Sequence, residues 1–407
     1  MKDTRTLIKY DLAHLAKSMS FVVIRNFEFL FNNRIELPND VDLFVLTFKE
    51  SWSHVLEKSG FFLMSKSKHR ATFAKIYGSK LITLDFHIET LTGNYVSYGI
   101  EEVLLRNSSK KEGIPIPSKE DHFCALLMRE LIAEGFKQKY RKVLYSLSKD
   151  INENYILEFL REAFGRKKAY DTISLVKKGS FDRLEELRSG IIAMFVVKNL
   201  PSYIKALVTL KRPRTKIVSI VGVDGSGKST ISKECAEFLS SNMIKANLLY
   251  MGRGNKNVLP VQKTGSILKS SIEKSPNLLK KIIYSLGAVA YSVDFWIRYL
   301  FHILPMKRQN QYIIADRYTS DILLMQNVPR IIRQILYLLL PKPDDYVYLY
   351  TGLSAIKKRR SDHDIVDIKR QLSEFTWINK LLNPLKIENK EVIHSRDAVI
   401  KYILTSQ

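Results

Sequence analysis

Residues 217–230 read Ile-Val-Ser-Ile-Val-Gly-Val-Asp-Gly-Ser-Gly-Lys-Ser-Thr, and they settle the architecture of the C-terminal half. A β-branched apolar run enters a loop of the form G-x-x-x-x-G-K-S, from Gly222 through Asp224, Gly225, Ser226 and Gly227 to Lys228, Ser229 and Thr230. Helix-forming residues follow from Ile231 to Leu239. Strand, glycine loop and helix is the context this motif requires. The glycines let successive backbone N–H groups curl around a phosphate, and the helix N-terminus adds partial positive charge. The pattern implies nucleoside triphosphate binding, with Lys228 on the β- and γ-phosphates and the Ser229 hydroxyl on Mg²⁺.

Outward from this loop, residues 213–407 alternate apolar strands and helical patterns. Expected strands are Ile217–Val221, Leu248–Met251, Tyr312–Ala315, Tyr346–Tyr350 and Glu391–His394. Such alternation predicts an α/β fold, a parallel sheet covered by helices on both faces, with ligands at the carboxyl ends of its strands. Three charged motifs fall at those ends: Arg253 in Met251-Gly252-Arg253-Gly254, then Asp316-Arg317-Tyr318, then the helical run Lys357-Lys358-Arg359-Arg360 with Ser354 as N-cap.

On these motifs the region from about 214 to 405 resembles the thymidylate kinase family of nucleoside monophosphate kinases. The resemblance implies ATP and Mg²⁺ as cofactors, and Asp224 facing the acceptor sugar. It implies Asp316 at the Mg²⁺ and acceptor end, Arg317 and Arg253 on the acceptor phosphate, and Gln326 beside the acceptor base. With Gly225-Ser226 in the phosphate loop, the lid arginines Arg359 and Arg360 would supply the catalytic guanidinium. The expected reaction is dTMP to dTDP. Met325 and Asp321 depart from the usual pattern. The Asp-Arg-Tyr-x-x-Asp run from Asp316 to Asp321, after the aromatic stretch Tyr291–Phe301, is closer to thymidylate kinase-like proteins of uncertain substrate.

Two further regions precede this one. Residues 1–112 mix strand-like runs (Phe21–Ile24, Leu43–Leu46, Leu81–Phe86) with helices and close in the polar segment 108–113, which reads as a loop. Residues 113–212 read as helical, opened by a capping box at Ser118-Lys119-Glu120-Asp121. Asp40 and Asp42 sit on alternate positions at the start of a strand, so they share a face, and Asp85 offers a third carboxylate from another strand. Carboxylates so placed can grip Mg²⁺ and activate a hydroxyl against a triphosphate. The stretch resembles the nucleotidyltransferase superfamily, in an α+β domain joined to a helical region. The Gly-Ser pair common in that superfamily is replaced by Pro38-Asn39, and Asn26 stands where a glycine is expected. His54 and His87 read as structural.

At 407 residues the chain is too long for one core. A hydrophobic share of 45% excludes general disorder. The net charge of +24 is compatible with nucleic acid, an anionic membrane or polyphosphate ligands. Because the basic residues are dispersed, phosphate ligands are favoured over nucleic acid. Cys124 and Cys235 show no metal-site spacing. No apolar stretch of signal-peptide type follows Met1, so a cytoplasmic location is expected. The apolar stretch 282–304 is interrupted by Asp294, Arg298 and His302 at helical spacing, which predicts a buried or partner-facing helix rather than a membrane span. A homodimer is left open. Two other functions compete with the kinase: nucleotidyl transfer by Asp40, Asp42 and Asp85, and a non-enzymatic ATP-binding switch or nucleic-acid-binding module.

Overall fold

The computed structural model describes residues 3–25, 27–92, 96–132, 135–209, 215–251, 277–309, 311–359 and 365–405. The chain divides into two compact units, Met1–Lys211 with Leu404–Gln407, and Arg212–Ile403.

The first unit is built on a five-stranded sheet. It contains α1 (Thr4–Leu15), β1 (Val22–Arg25), β2 (Asp40–Val45), α2 (Glu50–Lys58), β3 (Phe62–Lys66), β4 (Arg70–Tyr77) and β5 (Lys80–Ile88), with strand order β1-β2-β5-β4-β3. Only the β2–β5 pair is parallel. Alternation along β2 gives the sheet two different faces. Val41, Leu43 and Val45 join Leu84 and Phe86 in a core with Leu12 of α1 and Trp52 and Leu56 of α2. On the opposite side Phe44 belongs to a second core, together with Phe123, Leu126 and Leu127. That second core is the interior of a helical layer. After α3 (Glu101–Arg106) it comprises α4 (Lys119–Ile132), α5 (Gln138–Leu147), α6 (Glu153–Phe164), α7 (Arg166–Lys177), α8 (Phe181–Lys198) and α9 (Leu200–Thr209). The Ser118 hydroxyl accepts from the Asp121 amide at 3.1 Å, capping α4 as its sequence predicts.

The segment 108–113 is not the expected loop. It forms an antiparallel hairpin, β6 (Ser109–Lys111) and β7 (Ile114–Ile116), turned by Glu112 (φ 51°) and Gly113 (φ 82°). Two successive positive φ values suit the twist of a tight hairpin. Ile114 then enters the sheet's own core. Polar composition marked the turn and hid the short strands around it.

The second unit carries five parallel strands in the order β12-β11-β8-β10-β9. They are β8 (Lys216–Gly222), β9 (Ala246–Tyr250), β10 (Tyr312–Asp316), β11 (Asp345–Tyr350) and β12 (Leu385–Glu388). Its helices are α10 (Lys228–Ser241), α11 (Asn277–Arg298), α12 (Leu304–Gln309), α13 (Arg330–Leu339), α14 (Leu353–Arg359), α15 (Ile365–Leu382) and α16 (Val392–Thr405). The fifth strand is Leu385–Glu388, not Glu391–His394, which runs into α16. Both stretches carry a short apolar core, and only Ile387 is buried in the sheet, whereas Ile393 is exposed on the first helical turn. Within α11, Asp294 and Arg298 form a buried ion pair at 2.8 Å, four residues apart. Among the described residues, no helix is long and apolar enough to cross a membrane.

His122 of α4 is buried, its ring centroid 4.8 Å from that of Phe27. Burial pushes its pKa down to about 4. Glu28 lies 4.0 Å away, and burial raises its carboxyl too. The folded pKa lies below the unfolded value, so this stability is full above pH 6.5 and is lost as pH falls towards 4. Urea unfolding should show the first unit about 2 kcal/mol less stable at pH 5 than at pH 7, with most of that difference absent in His122→Phe.

Candidate functional site

Parallel strands place their carboxyl ends at one edge of the second unit. There β8 lies between β10 and β11, and the chain crosses from one side of β8 to the other between those two strands. That reversal opens the crevice in which ligands bind in open α/β sheets.

The phosphate loop fills this crevice. Gly225 (φ 84°) and Gly227 (φ 96°) take left-handed conformations, and Gly227 is the N-cap of α10. Asn389 anchors the loop from behind, its amide donating to the Ser226 carbonyl at 2.7 Å. Ser229 and Thr230 stand exposed on the first turn of α10.

Charge concentrates on Asp224. Arg317 donates to its Oδ1 at 2.5 Å, and the Lys228 ammonium lies 3.4 Å from the same oxygen. Gln371 of α15 braces the aspartate, accepting from the Asp224 amide at 2.9 Å and donating to Oδ2 at 3.0 Å. Burial would raise the Asp224 carboxyl, but Lys228, Arg317 and the Gln371 amide override it and hold the group well below the usual carboxylate range. Lys228 is buried and its pKa is lowered by desolvation, partly offset by Asp224; its Nζ donates to the Val223 carbonyl at 2.9 Å. Arg317 also faces Asp321 at 3.5 Å. The arginine itself has φ 63°, a left-handed conformation that costs an L-residue about 1–2 kcal/mol.

Asp316 ends β10, in register with Ile220 of β8. It is buried, and among the described residues its Oδ1 has no hydrogen-bond partner. A buried carboxylate oxygen of this kind, beside a loop with an exposed serine, is a fitting donor set for a hard divalent cation such as Mg²⁺.

The structure therefore brings together Gly222 through Thr230, Asp316 and Arg317 of the expected site. Gln326 donates to Asp367 at 2.9 Å, and Asp367 in turn accepts from Gln371 at 2.9 Å, the residue that braces Asp224. Arg253, Arg360 and the side chain of Arg359 lie outside the described residues. Ser354 is inside α14 rather than its N-cap. Gln371 and Asn389 were not anticipated, because nothing in their local sequence marks them.

In the first unit, pairing of β2 with β5 sets Asp42 beside Asp85. Together with His87 they offer ligand atoms within 4.8 Å of one another. Asp40 stands outside that group and is exposed. Both buried carboxylates already have cationic partners. Arg25 donates to Asp42 at 2.7 Å, and Arg70 reaches Asp85 through Nε at 2.7 Å and through a second guanidinium nitrogen. His87 Nε2 is 3.1 Å from Asp42. Burial would raise the Asp42 carboxyl, yet His87 and Arg25 lower it to about 2. The donor set suits a divalent cation only if the guanidinium groups give way. His54, by contrast, is exposed on α2.

No protein-family model matches the chain, and no curated protein matches it. Two similar solved structures are thymidylate kinases. That from Candida albicans is 18% identical with a TM-score of 0.35, over 48% of this chain and 93% of that one. That from Ehrlichia chaffeensis is 17% identical with a TM-score of 0.33, over 47% of this chain and 100% of that one.

A Cβ added at Gly222 would lie 2.3 Å from the Leu349 backbone oxygen and 2.8 Å from Ser226 Oγ. Backbone on β11 cannot step aside cheaply. Gly222→Ala should cost about 2 kcal/mol or more in unfolding free energy and weaken ATP binding, read by denaturant titration and calorimetry.

Proposed function

We propose that the second unit transfers the γ-phosphoryl group of ATP to a nucleoside monophosphate, with dTMP the first acceptor to test. The observation that carries this reading is the convergence of Lys228 and Arg317 on Asp224 at the mouth of the phosphate loop. Two cations held by one carboxylate are preorganised where phosphates from two ligands must meet. Phosphoryl transfer asks little covalent chemistry of the protein; it asks for alignment and for neutralisation of charge on the group in flight.

In this reading Lys228 leaves Asp224 for the β- and γ-phosphates of ATP, and the amides of the glycine loop close around them. Arg317, planar and always charged, grips the acceptor phosphate, helped by Arg253. Asp224, freed of both cations, accepts from the acceptor sugar. Mg²⁺ bound by Ser229 and Asp316 would neutralise the phosphate oxygens. Gln326 exchanges Asp367 for the acceptor base, and Arg359 and Arg360 supply lid charge. An acceptor-phosphate grip distinguishes a kinase from a switch, which has no second phosphate to hold.

The test is ADP formation by the full chain with ATP and Mg²⁺, against dTMP, dUMP, the other monophosphates and no acceptor. A monophosphate should stimulate turnover, dTMP most strongly. Lys228→Ala should lower kcat by about 10²–10³-fold, and Arg317→Ala should raise the acceptor KM as well as lower kcat. ADP formation indifferent to every acceptor would overturn the reading.

A further inference from the structure

Two neighbouring helices of the second unit turn apolar side chains to the outside. Along α11 and the π turn that follows it (Tyr299–Ile303), Ile282, Leu286, Val289, Val293, Trp296 and Leu300 recur every three or four residues. That spacing makes one stripe of a helix, and all six side chains are exposed. α13 repeats the pattern with Ile331, Ile335, Leu338 and Leu339, which are 52–70% exposed. Its charged side is the one turned inward. Arg333 is buried and meets Glu374 of α15 at 3.0 Å, and the Arg330 guanidinium lies 4.2 Å from the centre of the Trp377 ring. Trp296 joins the two stripes, its indole N–H donating to the Leu339 carbonyl at 3.2 Å.

We propose that this face docks on an anionic lipid surface. α11 and α13 lie in the plane of the headgroups, with their apolar stripes among the upper acyl carbons. A water-facing surface rarely carries so continuous an apolar area without a use for it.

The charge pattern selects the occupant. Among the described residues, neither helix exposes a carboxylate: the one acid on either is Asp294, buried against Arg298. The helix ends carry cations, Lys280 and Lys281 on α11 and Lys342 just past α13. Asp344, two residues further on, is turned back to the Ile217 amide at 2.7 Å. Anionic headgroups supply the counter-charge this face lacks. A second copy of the chain would not, because an isologous contact would press the lysines onto helices that expose no carboxylate to receive them. The overall charge of +24 acts in the same direction, drawing the chain to an anionic surface before the stripes engage.

The buried pair also fixes how α11 can lie. Asp294 and Arg298 are on the side packed into the unit's core, next to Tyr291 and Phe295. The helix cannot thread a bilayer without carrying both charges with it, so it can only rest on one. Trp296 suits such a boundary: its N–H is already bonded, and the indole ring can enter an apolar layer without stranding a donor.

The test is flotation of the full chain with phosphatidylcholine vesicles, with and without phosphatidylglycerol, over a salt series. The chain should float with the anionic vesicles only, and release as salt rises. So basic a chain can adsorb through charge alone, so the deciding variant leaves charge untouched. Leu286→Ser combined with Ile335→Ser and Leu338→Ser, all at exposed positions, should weaken binding about tenfold or more and keep the wild-type unfolding midpoint. Lys280→Gln with Lys281→Gln should weaken it about fivefold or more. Brominated acyl chains should quench the tryptophan emission of the bound chain, and Trp296→Phe should remove that quenching. No binding to anionic vesicles, binding indifferent to the serine variant, or quenching that survives Trp296→Phe would each overturn the proposal. A lipid-free dimer split by the serine variant, with no vesicle binding, would assign the face to a second copy instead. None of these readouts depends on the chemistry of the phosphate loop.

Discussion

One carboxylate holds the second unit's site together. Asp224 sits at the tip of the phosphate loop and is contacted by Arg317 from the turn after β10, by Lys228 from α10 and by Gln371 from α15. Remove its charge and two cations, one of them buried, would face each other across the loop without a mediator. The loop's left-handed glycines, the burial of Lys228 and the brace from α15 all presuppose that negative centre. The arrangement is also self-limiting: the groups that, in the proposed reading, release Asp224 to bind phosphates are the groups that hold the site in shape.

The two units show the same device in different settings. Guanidinium groups rest on aspartates in both, Arg317 on Asp224 and Arg70 on Asp85. In the second unit the pair is partly exposed on both sides, so a ligand can approach either member. In the first, the carboxylates are buried and only one arginine is open to solvent, so access is one-sided.

The parallel sheet and its phosphate loop were legible because β-branched runs, a glycine pattern and a following helix each report the same local geometry. Asp42 and Asp85 were legible as strand carboxylates for the same reason: alternation tells which side chains share a face. His87 read as structural, since a lone histidine in an apolar strand carries no sign of what lies across the sheet. Gln371 could not be found at all. It is 147 residues from Asp224, on a helix whose local pattern reports only its buried stripe. Short strands were the other failure. The hairpin at Ser109–Ile116 and the strand at Leu385–Glu388 are each too brief for periodicity to separate from turn or helix.

The left-handed backbone at Arg317 has a mechanical side. Its carbonyl accepts from the Met251 amide at 3.2 Å, so the turn after β10 is stitched to the residue that closes β9. A tug on either segment reaches the other through a single peptide group, with no intervening side chain to absorb it. Arg317 is thus a lever whose fulcrum is main chain. Side-chain torsions still aim its guanidinium, but the Cα from which they start is set by that turn, so a shift at the end of β9 moves the base from which the arginine is presented.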